Sequence, residues 1–395
     1  MSHAASASRG PDVRIRDGLR DTTVSWLIAR VALFAISAMA VDSFRLLPAG
    51  QPTLDSGYPP PSLLPGWHVL FTATQRQDAM WMLRLATTGY AHGDSSAAFF
   101  PLYPMVVRAV AWLPGIGPLA AASIVSNAAF FGALLLLHAL TRHEFGDADT
   151  ARRAVLFTAL FPTAFFFLAP YTESTFLLLS VAAFWFARRD RWGWAAAAGA
   201  AAALTRSIGV LLLFGLAFEA FRQHAREGRP LIPRLAGALA VLAGPVAYLV
   251  YWQLRFHDLL APLDAQRNWQ RERTAPWVTV WDALRFAWRY RTYWLVDVLV
   301  VGLAVTGVVY AIASRRLAGA YSVYAAASIL LPLVFPLKDR PLLSMPRFVA
   351  VVFPLSWGFA LAVSRRRIPE AAVTAGFAVG FGALAWLFVT WWPVF

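Results

Sequence analysis

The chain has 395 residues, 59% of them hydrophobic and only 14% charged, with a formal net charge of +14. A soluble domain normally carries about 25% charged residues, so the composition excludes an ordinary soluble enzyme and points to a bilayer as solvent. The positive charge does not indicate a nucleic-acid partner, because such proteins gather basic residues on one face of a soluble module. Here the arginines stand in short clusters between apolar spans, as cytoplasmic loops do, and the absence of cysteine excludes disulfides and Cys-based metal sites.

In chain order, residues 1–23 read as a polar cytoplasmic tail without the apolar core of a cleavable signal. Residues 24–395 read as a single transmembrane domain that begins with an anchoring span at 24–45. Basic clusters then mark one side of the membrane: Arg9 to Arg20; Arg142, Arg152 and Arg153; Arg188, Arg189 and Arg191; Arg222 to Arg234; Arg315 and Arg316; Arg365 to Arg367. Neighbouring clusters must be separated by an even number of crossings. Residues 98–113, with Pro101, Pro104 and Arg108, are predicted as an interfacial or re-entrant helix, and 118–141 as a span.

The 34 residues between Arg153 and Arg188 suffice for two short spans at 1.5 Å per residue, broken at Ala169-Pro170-Tyr171. The 30 residues between Arg191 and Arg222 are predicted as two half-helices meeting at Thr205 to Gly209. Non-helical backbone within a bilayer is tolerated only against protein or a watery cavity, so both breaks predict an internal cavity. Spans at 235–254, 294–313, 318–337, 347–363 and 371–394 complete about eleven crossings, an all-α polytopic fold. The N-terminus then lies inside and the C-terminus outside, with two long extracytoplasmic loops, 46–97 and 255–293. The second loop holds seven arginines, from Arg255 to Arg291; long loops translocate whatever their charge, and arginine forks also match an anionic headgroup.

Four charged residues fall on the predicted outer side. Asp78 opens an amphipathic helix, where an acid serves as a cap or, facing a cavity, as a base for an acceptor hydroxyl. Glu173 and Arg206 sit at the two breaks, and intramembrane charges are costly enough to be functional by default. They are predicted either as a mutual salt bridge, or with Glu173 shaping the catalytic site and Arg206 meeting a phosphate; both can hold together. Arg347 opens a late span after Lys338-Asp339-Arg340, and it either snorkels to the interface or binds phosphate, with Lys338 and Arg340 as further phosphate ligands. Trp81, Arg84, Tyr90, Tyr103, Tyr171, Gln266 and Trp269 are the expected substrate-binding residues. His68, His92 and His257 lie in outer segments, but none of the seven histidines shows metal-ligand spacing. There is no phosphate-binding Gly-rich loop, so no cofactor is evident, and a divalent metal remains compatible with the sequence. Asp94, after Gly93, reads as turn chemistry.

Several segments together resemble the PIG-V-like mannosyltransferases. They are Leu85-Ala86-Thr87-Thr88-Gly89-Tyr90, Ala98-Phe99-Phe100-Pro101-Leu102-Tyr103-Pro104, Phe161 to Phe166, Ala169 to Ser174, Leu204-Thr205-Arg206, Pro346-Arg347-Phe348 and Phe353-Pro354-Leu355. The matches span residues 77–355 in the family's order. The resemblance implies a GT-C glycosyltransferase that takes mannose from a polyprenyl-phosphate donor and passes it, with inversion, to a lipid-linked or envelope acceptor on the extracytoplasmic face. It maps the family's aspartate onto Asp78 as general base, with Arg206 and Arg347 stabilising the departing lipid phosphate. It departs from the family where Gln77 replaces the usual Trp and Met82 the usual Tyr. The Arg- and Ala-rich chain looks bacterial, which implies a plasma-membrane location. A transporter or flippase of lipid-linked intermediates, or a non-catalytic envelope-assembly subunit, are the other readings; inverted repeats that would favour a transporter are not found.

Overall fold

The computed structural model describes residues 11–44, 66–267 and 273–392. It is helical throughout its framework. Helices α1 (Pro11–Phe44), α2 (Val69–Thr72), α3 (Asp78–Thr87), α4 (Leu102–Ala111), α5 (Pro118–Phe145) and α6 (Ala148–Leu160) form the first part. They are followed by α7 (Glu173–Arg188), α8 (Trp192–Ala203), α9 (Leu212–Glu227), α10 (Leu231–Leu239), α11 (Ala243–Phe256) and α12 (Ala261–Arg267). The last part comprises α13 (Pro276–Tyr290), α14 (Thr292–Ala313), α15 (Gly319–Leu330), α16 (Met345–Ala350), α17 (Pro354–Ser364) and α18 (Glu370–Val389).

Local chemistry sets these boundaries. Pro118 starts α5 at a position whose N–H would be unpaired anyway, and Gly146 ends it in the left-handed conformation at φ +70. The Asp147 carboxylate accepts from the N–H groups of Asp149 and Thr150 and so caps α6. The predicted breaks appear at 161–172, between α6 and α7, and at 204–206, between α8 and the turn of 3-10 helix Ser207–Leu211. Helix α4, ten residues long, spans about 15 Å and is too short to cross.

Six stretches among the described residues are long and apolar enough to cross a membrane by length and composition: Arg16–Ala40, Pro118–Phe145, Ser207–Glu227, Leu231–Phe256, Thr292–Ala313 and Glu370–Val389. The sequence predicts about eleven; the breaks at 161–172 and 204–206 leave α6, α7 and α8 short of a full crossing, and α15 and α17, of 12 and 11 residues, are short as well. The chain is a multi-pass membrane protein whose helices bury mainly alanine, phenylalanine, leucine and valine against one another.

Close helix approach rests on glycine at one crossing in particular. A Cβ added at Gly358 of α17 would lie 1.8 Å from the carbonyl oxygen of Gly307 in α14, so the two backbones are in contact. Small residues are what permit such packing between membrane helices. Gly358→Ala is therefore expected to destabilise the protein by at least the roughly 1–3 kcal/mol of core overpacking, read as a lowered melting temperature in detergent. An unchanged melting temperature would show that the crossing relaxes without cost.

Four of the basic clusters, those of Arg153, Arg188, Arg234 and Arg365, meet at one end of the bundle. Arg188 bridges Glu144 at 2.7 Å and the fully buried Glu219 at 3.0 Å, and Tyr321 donates to Glu144 at 2.8 Å. Arg234 reaches Asp190 and Gln223, Arg153 reaches Ser364 and Glu370, and Arg365 donates to the Ser314 carbonyl. Helix α7 runs from Glu173 to Arg188, so Glu173 lies about 22 Å from this basic end.

Candidate active site

The site begins with a strained turn. Gln77 adopts φ +45, ψ −118, a conformation L side chains rarely take and one that costs of order 1–3 kcal/mol. The turn releases the chain into α3 with Asp78 as its first residue, where the helix dipole favours a negative charge. The rest of α3 is anchored by buried Ala79, Met80, Trp81, Met82, Leu83, Leu85 and Ala86, so the Asp78 carboxylate is held at the helix end rather than carried on a loose loop. Across the cavity a second strained residue, Ser344 at φ +67, precedes α16 and Arg347.

The four charged residues expected on the outer side form one continuous chain. Arg347 Nη1 lies 2.6 Å from Asp78 Oδ2, and Arg347 also pairs with Glu173 Oε1 through Nη2 at 2.8 Å and Nε at 2.9 Å. The same Glu173 oxygen lies 2.5 Å from Arg206 Nη1, and Arg206 donates to the Thr172 hydroxyl at 3.2 Å. Glu173 is fully buried beneath the cavity, while the Asp78 side chain retains 24% exposure. The Arg347 guanidinium lies over the rings of Phe166 and Tyr171, at 5.0 and 4.7 Å, and Arg206 over Phe348 at 5.1 Å. Glu173 thus bonds both arginines, which is the salt-bridge arrangement expected of it with Arg206, extended to Arg347. The two cations and two anions sum to zero, which lets the cluster exist away from bulk water.

Above this chain lies a cavity of about 130 Å³, with Asp78, Tyr171, Thr172, Arg206, Ser207 and Arg347 in its wall. One water needs about 10–15 Å³ by this measure, so the space admits a substrate group. Among the described residues no group of three or more His, Cys, Asp or Glu side chains is placed to hold a metal ion.

The other expected site residues are distributed as follows. Tyr171 lines the cavity, and its hydroxyl donates to the Arg76 carbonyl at 2.8 Å. Trp81 is buried and stacks on Phe99, a wall residue, at 5.3 Å, while Arg84 lies over Trp81 and pairs with Asp94. Asp94 also accepts from the Ser96 N–H, as turn chemistry predicts. Burial alone would raise the Asp94 carboxyl, but the Ser96 bonds and the Arg84 guanidinium outweigh it and hold it below its usual range. Tyr103 is fully buried behind the cavity, bonded to Ser126 and the Ala122 carbonyl. Tyr90 donates to the Phe99 carbonyl and lines a second, more apolar cavity of about 390 Å³, with Tyr248, Tyr251 and Met105.

Lys338 is exposed and absent from the wall of the first cavity. Arg340 is likewise outside that wall; it forms a buried bidentate pair with Asp297, at 2.6 and 2.8 Å. That pair has a structural reason: α14 brings an acid into an apolar run, and a buried carboxylate must be compensated. Gln266 falls near the end of α12, where side chains are not described, and Trp269 lies outside the described residues.

Over 94% of its length the chain is similar to 76% of ArnT from Cupriavidus metallidurans bound to undecaprenyl phosphate, at 14% identity and a TM-score of 0.51. The same protein in its apo state is similar over 82% of this chain and 74% of that one, at 14% identity and a TM-score of 0.47. An Archaeoglobus fulgidus oligosaccharyltransferase, in a complex with zinc and sulfate, gives 13% identity, 92% and 53% coverage and a TM-score of 0.42. The fold assignment rests on the first of these. No curated protein matches the chain. Residues 31–225 match the family described as Mannosyltransferase (PIG-V), a range that includes Asp78, Glu173 and Arg206 and stops short of Arg347. Over that range the chain is similar to a mannosyltransferase family, which identifies it as a glycosyltransferase, and its fold is similar to that of ArnT.

Proposed function

We propose that the enzyme moves mannose from a polyprenyl-phosphate donor to a hydroxyl of a lipid-linked or envelope acceptor, on the extracytoplasmic face of a bacterial plasma membrane. The observation that carries the proposal is the unbroken chain Asp78–Arg347–Glu173–Arg206 at the wall and floor of one cavity. Asp78 accepts the proton of the acceptor hydroxyl through a carboxylate that retains exposure. As that oxygen bonds to the anomeric carbon, the bond from this carbon to the phosphate oxygen breaks on the opposite side, and the configuration inverts. Polyprenyl phosphate leaves carrying the electron pair, and Arg206 and Arg347 stabilise its charge where it develops. Glu173 keeps both arginines in place before the donor arrives. The face is supported by the placement of the cluster far from the basic end, which the positive-inside rule assigns to the cytoplasm. A polyprenyl-phosphate donor is further supported by the undecaprenyl phosphate in the similar ArnT.

The test is transfer by purified enzyme from radiolabelled polyprenyl-phosphate mannose into a lipid extract, beside a parallel reaction with GDP-mannose. Label is expected in the acceptor from the lipid-linked donor alone. Transfer from GDP-mannose with none from the polyprenyl donor would overturn the donor class and the assigned face together.

A further inference from the structure

Arg76 stands two residues before Asp78, is 1% exposed and reaches the far end of the chain. Its guanidinium donates to the carbonyl of Val389 through Nε at 3.3 Å and Nη2 at 3.1 Å, and it lies 4.7 Å from the centre of the Trp391 ring. Val389 is the last residue of α18, whose first residue, Glu370, is fixed by Arg152 and Arg153 at the basic end. The helix is therefore pinned at both ends. The Arg76 backbone is equally engaged: its carbonyl accepts from the Tyr171 hydroxyl at 2.8 Å and from the Ala79 N–H at 2.9 Å.

These contacts close a ring. From Arg76 the chain passes through strained Gln77 to Asp78, from Asp78 to Arg347, from Arg347 to the Tyr171 ring, and from the Tyr171 hydroxyl back to Arg76. A non-glycine residue at φ +45 persists only where its surroundings over-determine it. Here the residue before the strain is tied to α18 and the residue after it to Arg347. We propose that Arg76 is a positioning residue: it fastens the turn to the end of α18 and so aims the Asp78 carboxylate into the cavity. It touches no substrate itself. Its side chain was available for an ordinary surface role, yet it spends its donors on a carbonyl 313 residues away and on the carbonyls of Thr72 and Gln75, which fixes the approach to the turn as well.

The proposal rests on Asp78 as proton acceptor, so its test has one readout that depends on transfer and one that does not. In Arg76→Gln the kcat for transfer from polyprenyl-phosphate mannose is expected to fall about 10²-fold, the scale of a 1 Å misplacement, with the donor KM within about twofold. Gln77→Gly added to that variant is expected to recover about fivefold or more, because glycine takes positive φ without strain. A purely structural role predicts instead a lowered melting temperature with wild-type kcat in the protein that remains folded, so rates are normalised to folded enzyme. Independently of transfer, hydrogen exchange at the amides of Ala79 and Met80, together with Trp391 and Trp392, is expected to rise in Arg76→Gln.

Should Arg76→Gln not accumulate, Arg76→Lys, which keeps the buried cation but not the fork, and Trp391→Leu, which weakens the tether from its other end, carry the same measurements. Wild-type kcat in these variants, absence of glycine rescue, or unchanged exchange at Ala79 and Met80 would overturn the tether. Raised exchange in an enzyme whose wild type transfers no mannose would retain the tether and reject the assigned reaction.

Discussion

In Asp78→Asn, transfer of mannose into the lipid fraction is expected to fall by about 10²–10⁴-fold, the usual contribution of a positioned general base. The donor KM is expected to stay within about twofold, because the amide removes proton affinity rather than the cavity. Asparagine has the shape of aspartate and still accepts a hydrogen bond from Arg347, which also retains Glu173 at 2.8 Å. The variant should therefore accumulate and melt close to wild type, separating chemistry from folding. Initial rates with radiolabelled donor, normalised to detergent-purified protein, decide the matter. Undiminished transfer would remove Asp78 from the reaction and leave the cluster as a structural ion pair.

The parts of this site that were legible in the sequence are those where the bilayer makes a residue conspicuous. Glu173 and Arg206 stand in otherwise apolar stretches, and the cost of placing charge there identifies them without knowledge of the fold. Asp78 and Arg347 were visible by position, at helix starts on the predicted outer side. That they meet at 2.6 Å was not, because 269 residues separate them and no local pattern encodes so distant a contact. The fold was legible for the same reason: the predicted break at 169–171 falls between the 3-10 turn Ala164–Phe167 and α7, and the one at 205–209 spans the end of the 204–206 segment and the start of the 3-10 turn Ser207–Leu211. Crossing number was less so, since helices interrupted at such breaks no longer carry the length that counting relies on.

One thing the sequence hid lies in a polar stretch. Arg76 is inconspicuous in the sequence because an arginine outside an apolar run carries no penalty to explain; its spacing of two from Asp78 is the available signal. Asp297, inside the apolar run 294–313, was as conspicuous as Glu173, and its need for a cation would have assigned Arg340 to it before any phosphate. Tyr103 shows a further limit: a resemblance marks residues that pack the cavity wall from behind along with those that line it.

Arg347 is the residue whose loss should cost most, because it alone joins the two carboxylates. Arg347→Ala leaves Asp78 and the fully buried Glu173 with Arg206 as the remaining cation of the cluster, and breaking a buried pair in this way costs about 3–5 kcal/mol. The variant is expected to accumulate poorly and to melt well below wild type in detergent. Arg347→Lys separates charge from geometry. An ammonium on a flexible stem supplies the cation but no planar fork, so it cannot hold Asp78 and Glu173 together while lying over Phe166 and Tyr171. That variant is expected to accumulate, yet to lose about 10²–10³-fold in kcat, the scale of removing one preorganised donor to a developing oxyanion. If the guanidinium acts on the leaving phosphate as it acquires charge, kcat should fall further than the donor KM rises. A rise in KM at constant kcat would instead make Arg347 a ground-state anchor for the donor. A wild-type melting temperature in Arg347→Ala would show that water, rather than this side chain, compensates the two carboxylates.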